Sequence, residues 1–211
     1  MPNSVGSRCW QGQLCWSSTA EQPRASPRKI DRITTSSMVL YTIGHSTHPI
    51  ETFLGLLAGH AIVTLVDVRS FPNSRRWPQF NQNELKASLE RAGIPYEWCR
   101  VLGGRRHSTR TDSPHAAWQH PAFRSYADHA DTAEFTAAIR QLSELATAQP
   151  SVIMCSEGLW WRCHRRIIAD FMMVRGWQVQ HIMPDSKLAL HSLPDFARID
   201  GVRVIYDGSA G

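Results

Sequence analysis

From Met38 onward, short apolar runs alternate with amphipathic stretches, and this alternation constrains the fold more than any other feature of the chain. Strands joined by helical crossovers lie in a mostly parallel sheet with helices on both faces. The run Ala61-Ile62-Val63-Thr64-Leu65-Val66 is apolar at nearly every position, as a strand covered on both sides should be. Further strands are expected at 39–43, 94–101, 151–155 and 177–182. Between them fall helices at 49–58, 83–92, 122–129, 132–148 and 162–175, with Gly59, Gly93 and Gly176 as stops. Phe53, Leu56 and Leu57 share one face of the first helix; Ile167, Ile168, Phe171 and Met172 share one of the last. The expectation is a single α/β domain over 38–211, Rossmann-like, with an open, mostly parallel sheet of about five strands.

The 211 residues suffice for one such domain and a spare segment, and a hydrophobic fraction of 42% can fill its core. The spare segment is 1–37, rich in Ser, Gln, Pro and Arg and without periodicity, so it is expected to be disordered. A strand pattern starts directly after Met38, which is the expected true start of the protein. A transit peptide, or a small interaction motif built on Cys9-Trp10 and Cys15-Trp16, is the alternative for the segment. It carries Arg8, Arg24, Arg28, Lys29 and Arg32 against Glu21 and Asp31, more than half of the net charge of +5. The body is therefore only mildly basic, which weakens a nucleic-acid reading from charge alone. Its positive charge is almost all arginine, suited to fixed contacts with phosphate or carboxylate. Five cysteines at irregular spacing suggest reduced thiols, and no apolar run is long enough to cross a membrane, so a cytoplasmic location is expected.

Ligands of open α/β sheets bind beyond the carboxyl ends of the strands, and here those loops pool polar residues. Gly44-His45-Ser46 follows the first strand, and Asp67-Val68-Arg69 with Ser74-Arg75 follows the second. Gly103-Gly104-Arg105-Arg106 follows the third, and Cys155-Ser156-Glu157 the fourth, with Arg162-Cys163-His164-Arg165 at the next helix start.

The series I-G-H-S at 43–46, D-V-R at 67–69, S-R at 74–75, G-I-P-Y at 93–96, L-G-G at 102–104, C-S-E at 155–157 and C-H-R at 163–165 resembles the domain-of-unknown-function 488 family. The resemblance covers about 39–183. It implies that His45, Ser46, Asp67, Arg69, Arg75, Cys155, Glu157, Cys163, His164 and Arg165 hold that family's motif positions. It brings no settled activity, and it does not extend to Trp160 and Trp161.

Cys155 is the expected nucleophile. A thiol at a strand end, facing a helix N-terminus and flanked by Arg162 and Arg165, should favour its thiolate. Glu157 would act as general acid or base, and His164 and His45 would shuttle protons. Ser46, Asp67, Arg69, Arg75, Gly103, Gly104, Arg105, Cys163 and Arg165 would bind substrate. The competing reading makes Cys155 a small buried hydrophobe. For Asp67 and Arg69 it is an ion pair that fixes a loop, and for Gly103-Gly104 an ordinary turn. Zinc held by Cys155 with His or Asp is a further alternative. Adjacent Cys163 and His164 on a helix would diverge by about 100°, so only one of them is expected to ligate.

G-x-x-x-x-G-K and G-x-S-x-G are both absent, which removes a P-loop and an ordinary serine hydrolase. The polar stretch 103–121, with His107, His115, His120 and Trp118, is expected to be a long loop or a lid. The sequence names no cofactor and no oligomeric state. Two function classes stay open. One is a cysteine-dependent enzyme on a small anionic, phosphorylated or nucleotide-like substrate, by hydrolysis, group transfer or redox exchange. The other is a nucleic-acid or nucleotide-binding module in which Trp77 and Phe80 stack on bases and the arginines grip phosphate.

Overall fold

The expected apolar runs become hydrogen-bonded neighbours in the computed structural model, which describes residues 38–209. The expectations placed on 1–37 lie outside the described residues. In chain order the elements are β1 (Val39–Gly44), α1 (Ile50–Gly59), β2 (Thr64–Asp67), α2 (Gln82–Arg91), β3 (Tyr96–Trp98), α3 (Pro121–Ala130), α4 (Ala133–Ala148), β4 (Ser151–Cys155), α5 (Arg165–Met173) and β5 (Gln178–Ile182). After them come β6 (Leu188–Leu190), β7 (Arg198–Asp200) and β8 (Arg203–Ile205). The main sheet has six strands in the order β3-β2-β4-β1-β5-β6, all parallel except β6, which runs antiparallel to β5.

Side-chain alternation along the central strands feeds two cores. Ile43, Leu65, Val152 and Met154 meet Phe53 and Leu57 of α1 and Leu85 and Leu89 of α2. Leu40, Val66, Ile153 and Cys155 point the other way, into Tyr126, Phe135, Ile139, Ile168 and Phe171 from α3, α4 and α5. The two faces follow from strand order. The chain steps from β1 to β2 to β3 toward one edge, then returns through β4 to β5 toward the other. Right-handed crossovers put helices on opposite faces for opposite directions of travel.

The boundaries differ from the sequence expectation where capping and edges intervene. Residues 61–63 do not belong to β2. Ala61 adopts a left-handed φ of 51°, and the amides of Ala61 and Ile62 close the end of α1 on Ala58 and Leu57 carbonyls. The third strand is cut to three residues at the sheet edge, and a 3-10 turn at Arg100–Leu102 replaces its second half. The last helix starts three residues late, because Trp160–Arg162 forms a separate 3-10 turn and Cys163 is extended at φ −125°, ψ 148°. The sixth strand and the β7–β8 hairpin, whose turn uses Gly201 at φ 61°, had no clear period in the sequence.

The stretch before α3 is irregular, as expected, yet its second half is fastened to the hairpin. The Ala117 amide bonds the Tyr206 carbonyl at 2.9 Å, and His115 and Trp118 are buried against Tyr206. Among the described residues, no helix is long and apolar enough to cross a membrane.

Candidate functional site

Strand β4 lies between β2 and β1, and its last residue is Cys155. The chain leaves β1 and β2 toward one face and leaves β4 toward the other, so a crevice opens over the end of β4, as the switch-point rule requires. A cavity of about 1150 Å³ occupies it. Nine of the sequence-predicted residues line this cavity: His45, Ser46, Arg69, Gly104, Arg105, Cys155, Glu157, Cys163 and His164. Asp67, Arg75, Gly103 and Arg165 do not. Asp67 and Arg165 are buried behind the lining, Gly103 packs on Ser70, and Arg75 is exposed. The sequence reading gave no role to Ser70, Phe71 or Ser156, which complete the wall, or to Phe80, which supports it.

Two sulfurs and one imidazole nitrogen form the buried part of the lining. Cys163 Sγ lies 3.5 Å from His164 Nδ1 and Cys155 Sγ 3.9 Å from it. His164 Nε2 is 2.9 Å from the Val68 carbonyl oxygen, which only accepts, so Nε2 donates to it and Nδ1 faces both sulfurs. Because Cys163 is extended and precedes α5, its side chain converges with that of His164 instead of diverging from it. The expectation of a single ligand rested on both residues being helical, and Cys163 is not.

Arg165 is 1% exposed and reaches Cys163 Sγ with Nε at 3.4 Å. Its other nitrogens donate to Thr42 Oγ1 and the Glu157 carbonyl. Burial alone would push the Cys163 thiol up, but the neighbouring Cys155 thiol, together with the charge and hydrogen bonds of Arg165, holds it below the ordinary thiol range. Cys155 is driven the opposite way, first by its coupling to the Cys163 thiol and then by burial. The two directions favour the charged form on Cys163 rather than on Cys155. The guanidinium read as flanking Cys155 points past it to the second sulfur.

The β2 loop is held from within. Asp67 takes Arg69 Nε on both carboxylate oxygens at 2.9 and 3.0 Å, the Arg69 amide at 3.0 Å and the Tyr96 hydroxyl at 2.8 Å. Arg69 also donates to the Phe80 carbonyl at 2.8 Å. Most of its donors are therefore committed, and the ion pair shapes the loop. Arg106 is likewise spent on the carbonyls of Arg100, Val101 and Gly103. The exposed lining cations are Arg105, whose guanidinium sits 5.8 Å from the Phe71 ring, and Arg162.

His45 stacks on Phe80 with ring centroids 4.1 Å apart, and its Nδ1 donates to the Ser46 carbonyl. Burial and then the charge of Arg69 lower its pKa to about 4, so the ring is neutral at physiological pH. The Glu157 carboxylate is exposed and makes no hydrogen bond or ion pair among the described residues.

Two glycines allow the loops to close in. A Cβ on Gly44 would stand 1.9 Å from the Glu157 carbonyl oxygen, and one on Gly104 would stand 2.3 Å from His164 Nδ1. The glycines of the 43–46 and 102–104 motifs thus give way to the 155–157 and 163–165 motifs, and the motifs form one object in space.

Fold and site together define a doubly wound α/β protein with a Cys-Cys-His cluster at its switch point. The family model described as Domain of unknown function DUF488 matches residues 49–172, and the chain belongs to that family. The match begins after β1, so His45 and Ser46 lie outside it. No curated protein and no solved structure matches the chain.

Proposed function

We propose that the protein is an enzyme that acts on a small anionic substrate in the switch-point cavity through the Cys163 thiolate. The observation that carries this reading is the placement of a cavity-lining sulfur 3.4 Å from a fully buried arginine Nε, with a second thiol sulfur within 4.8 Å of it. Arg165 supplies the charge that favours the thiolate, and its other donors are fixed on Thr42 and Glu157, so it holds that position. Exposed Arg105 and Arg162 give the cavity its preference for anions.

In the chemical step Cys163 Sγ attacks an electrophilic centre of the substrate and forms a covalent bond. The bond to the leaving group breaks, and the leaving group takes up the proton of the neighbouring Cys155 thiol. Water or a second acceptor then displaces the sulfur, giving hydrolysis or group transfer. His164 Nδ1, which faces both sulfurs, accepts the proton released in that second step and passes it to Cys155 Sγ, which restores the starting thiol.

The alternative of a phosphate-gripping nucleic-acid module would have to rest on Arg105 and Arg162 in the lining, since Arg69 and Arg106 spend their donors on the protein. The test is alkylation by a small haloacetamide at a series of pH values, with each modified cysteine located by peptide mass. Cys163 is expected to react fastest, with a midpoint below the free-thiol value of about 8.5. Faster modification of Cys155 than of Cys163, or a Cys163 midpoint at or above that value, would overturn the reading.

A further inference from the structure

The spacing of the cluster supports more than thiol chemistry. We infer that Cys155 Sγ, Cys163 Sγ and His164 Nδ1 form a binding site for one zinc-class divalent ion, with a fourth coordination position open to the cavity. This rests on the proposed function only in placing that function's attacking sulfur among the ligands.

The three donor atoms lie within 4.8 Å of one another, and all three residues line the cavity. A tetrahedral zinc with Zn–S of about 2.3 Å and Zn–N of about 2.0 to 2.1 Å separates its sulfur and nitrogen ligands by about 3.5 Å. The two sulfur–nitrogen distances here are 3.5 and 3.9 Å and the two sulfurs lie within 4.8 Å, against about 3.8 Å on a tetrahedral zinc, so an ion fits once the sulfurs draw in by at most about 1 Å. The imidazole is already oriented for it. Its outer nitrogen donates to the Val68 carbonyl, the anchor that metal-bound histidines commonly use, and this leaves Nδ1 free to bind. Gly104 lies against the same ring and limits its displacement. Arg165 offsets one sulfur's charge from behind. Two sulfurs and an imidazole select a soft or borderline ion over magnesium or calcium, which take oxygen.

On binding, Cys155 Sγ gives up its proton to solvent and both sulfurs become ligands, so the metal-loaded and the thiol-reactive protein are exclusive states. The fourth ligand, water or a cavity-bound anion, completes the shell. The site then has the three-ligand, one-open pattern of a zinc centre able to do chemistry.

The experiment uses the full chain, reduced and stripped of metal, titrated with Co²⁺ as a spectroscopic probe and with Zn²⁺ against a chromophoric chelator. One equivalent of Co²⁺ should give thiolate-to-cobalt charge-transfer absorption, and Zn²⁺ should bleach it. The band should be lost in Cys155→Ser and Cys163→Ser and shifted or lost in His164→Ala, with folding checked by circular dichroism. A Cys9→Ser/Cys15→Ser variant and a Cys99→Ser variant should keep it. Absence of the band in the native protein, its survival in Cys163→Ser, or its loss with Cys9 and Cys15 overturns the site. If Cys163→Ser does not fold, an unchanged band in His164→Ala overturns it instead. Alkylation of the metal-free protein separates the two readings. A low Cys163 midpoint without metal binding removes only this inference, and metal binding with an ordinary midpoint removes only the thiolate enzyme.

Discussion

Gly104→Ala probes the packing that joins the third loop to the site. Gly104 is absent from the residues with left-handed φ, so its backbone suits alanine, and such a change ordinarily stabilises a protein by about 0.4 to 1 kcal/mol through the unfolded chain. Here the new Cβ would lie 2.3 Å from His164 Nδ1, 2.6 Å from its Cγ and 2.9 Å from its Cε1, where ordinary contact begins at 3.4 Å. The ring must retreat by about 1 Å, beyond the reach of its 2.9 Å bond to Val68. Overpacking costs about 1 to 3 kcal/mol and the lost hydrogen bond about 1 kcal/mol. After the unfolded-state gain, a net destabilisation of about 1 to 3 kcal/mol remains, since the overlap is with a ring held on its far side. Urea denaturation should show a lower midpoint at unchanged slope, and the cobalt band should shift as Nδ1 moves off the sulfurs. A variant as stable as the native protein, or more stable, with an unchanged band would refute the claim that this contact holds the imidazole in place.

Other perturbations have equally definite outcomes. Gly44→Ala sets a Cβ against backbone, 1.9 Å from the Glu157 carbonyl oxygen, and should destabilise more than Gly104→Ala; a smaller loss in the same urea assay contradicts this. Asp170 is buried and accepts from His191 at 2.7 Å and Tyr206 at 2.6 Å, so Asp170→Ala should cost about 3 to 5 kcal/mol, and a loss under about 1 kcal/mol would contradict it. His45 and His181 are lowered to about 4 and about 2, both chiefly by burial, whereas the unfolded chain protonates them near 6.5. The unfolded state alone therefore gains protons as pH falls through about 6.5, and stability should drop from there toward pH 4. His45→Gln should flatten that slope, and an unchanged slope speaks against the neutral ring. Burial raises Asp131, but the hydrogen bonds and charges of His115 and Arg203 outweigh it and hold the carboxyl at about 2. Its contribution is present above its unfolded pKa of about 3.9 and should vanish as pH falls toward 2, a loss missing from Asp131→Asn.

The α/β class and the location of the site were legible because both follow from periodicity and strand order. A strand such as Leu65-Val66 between two helical faces admits few topologies, and residues just beyond strand ends must share an edge. Which thiol the buried arginine meets was not legible. It depends on the path of Ser156 to Cys163, an irregular segment whose dihedrals no period fixes, and on the direction of the Arg165 side chain. For the same reason Arg69 and Arg106 read as anion ligands in the sequence. Only the structure shows their donors facing Asp67 and backbone carbonyls. The β7–β8 hairpin escaped because three-residue strands carry no measurable alternation, yet it anchors His115 and Trp118 beside the site.

The central claim is that Cys163, held by Arg165, is the thiolate of a reactive centre. Its most direct measurement is the ultraviolet thiolate absorbance of the metal-free native protein against pH, less that of Cys163→Ser. The difference should rise with a midpoint below the free-thiol value of about 8.5 and should move upward in Arg165→Met. A midpoint at or above that value, or a low midpoint that persists in Cys163→Ser and disappears in Cys155→Ser, would contradict it.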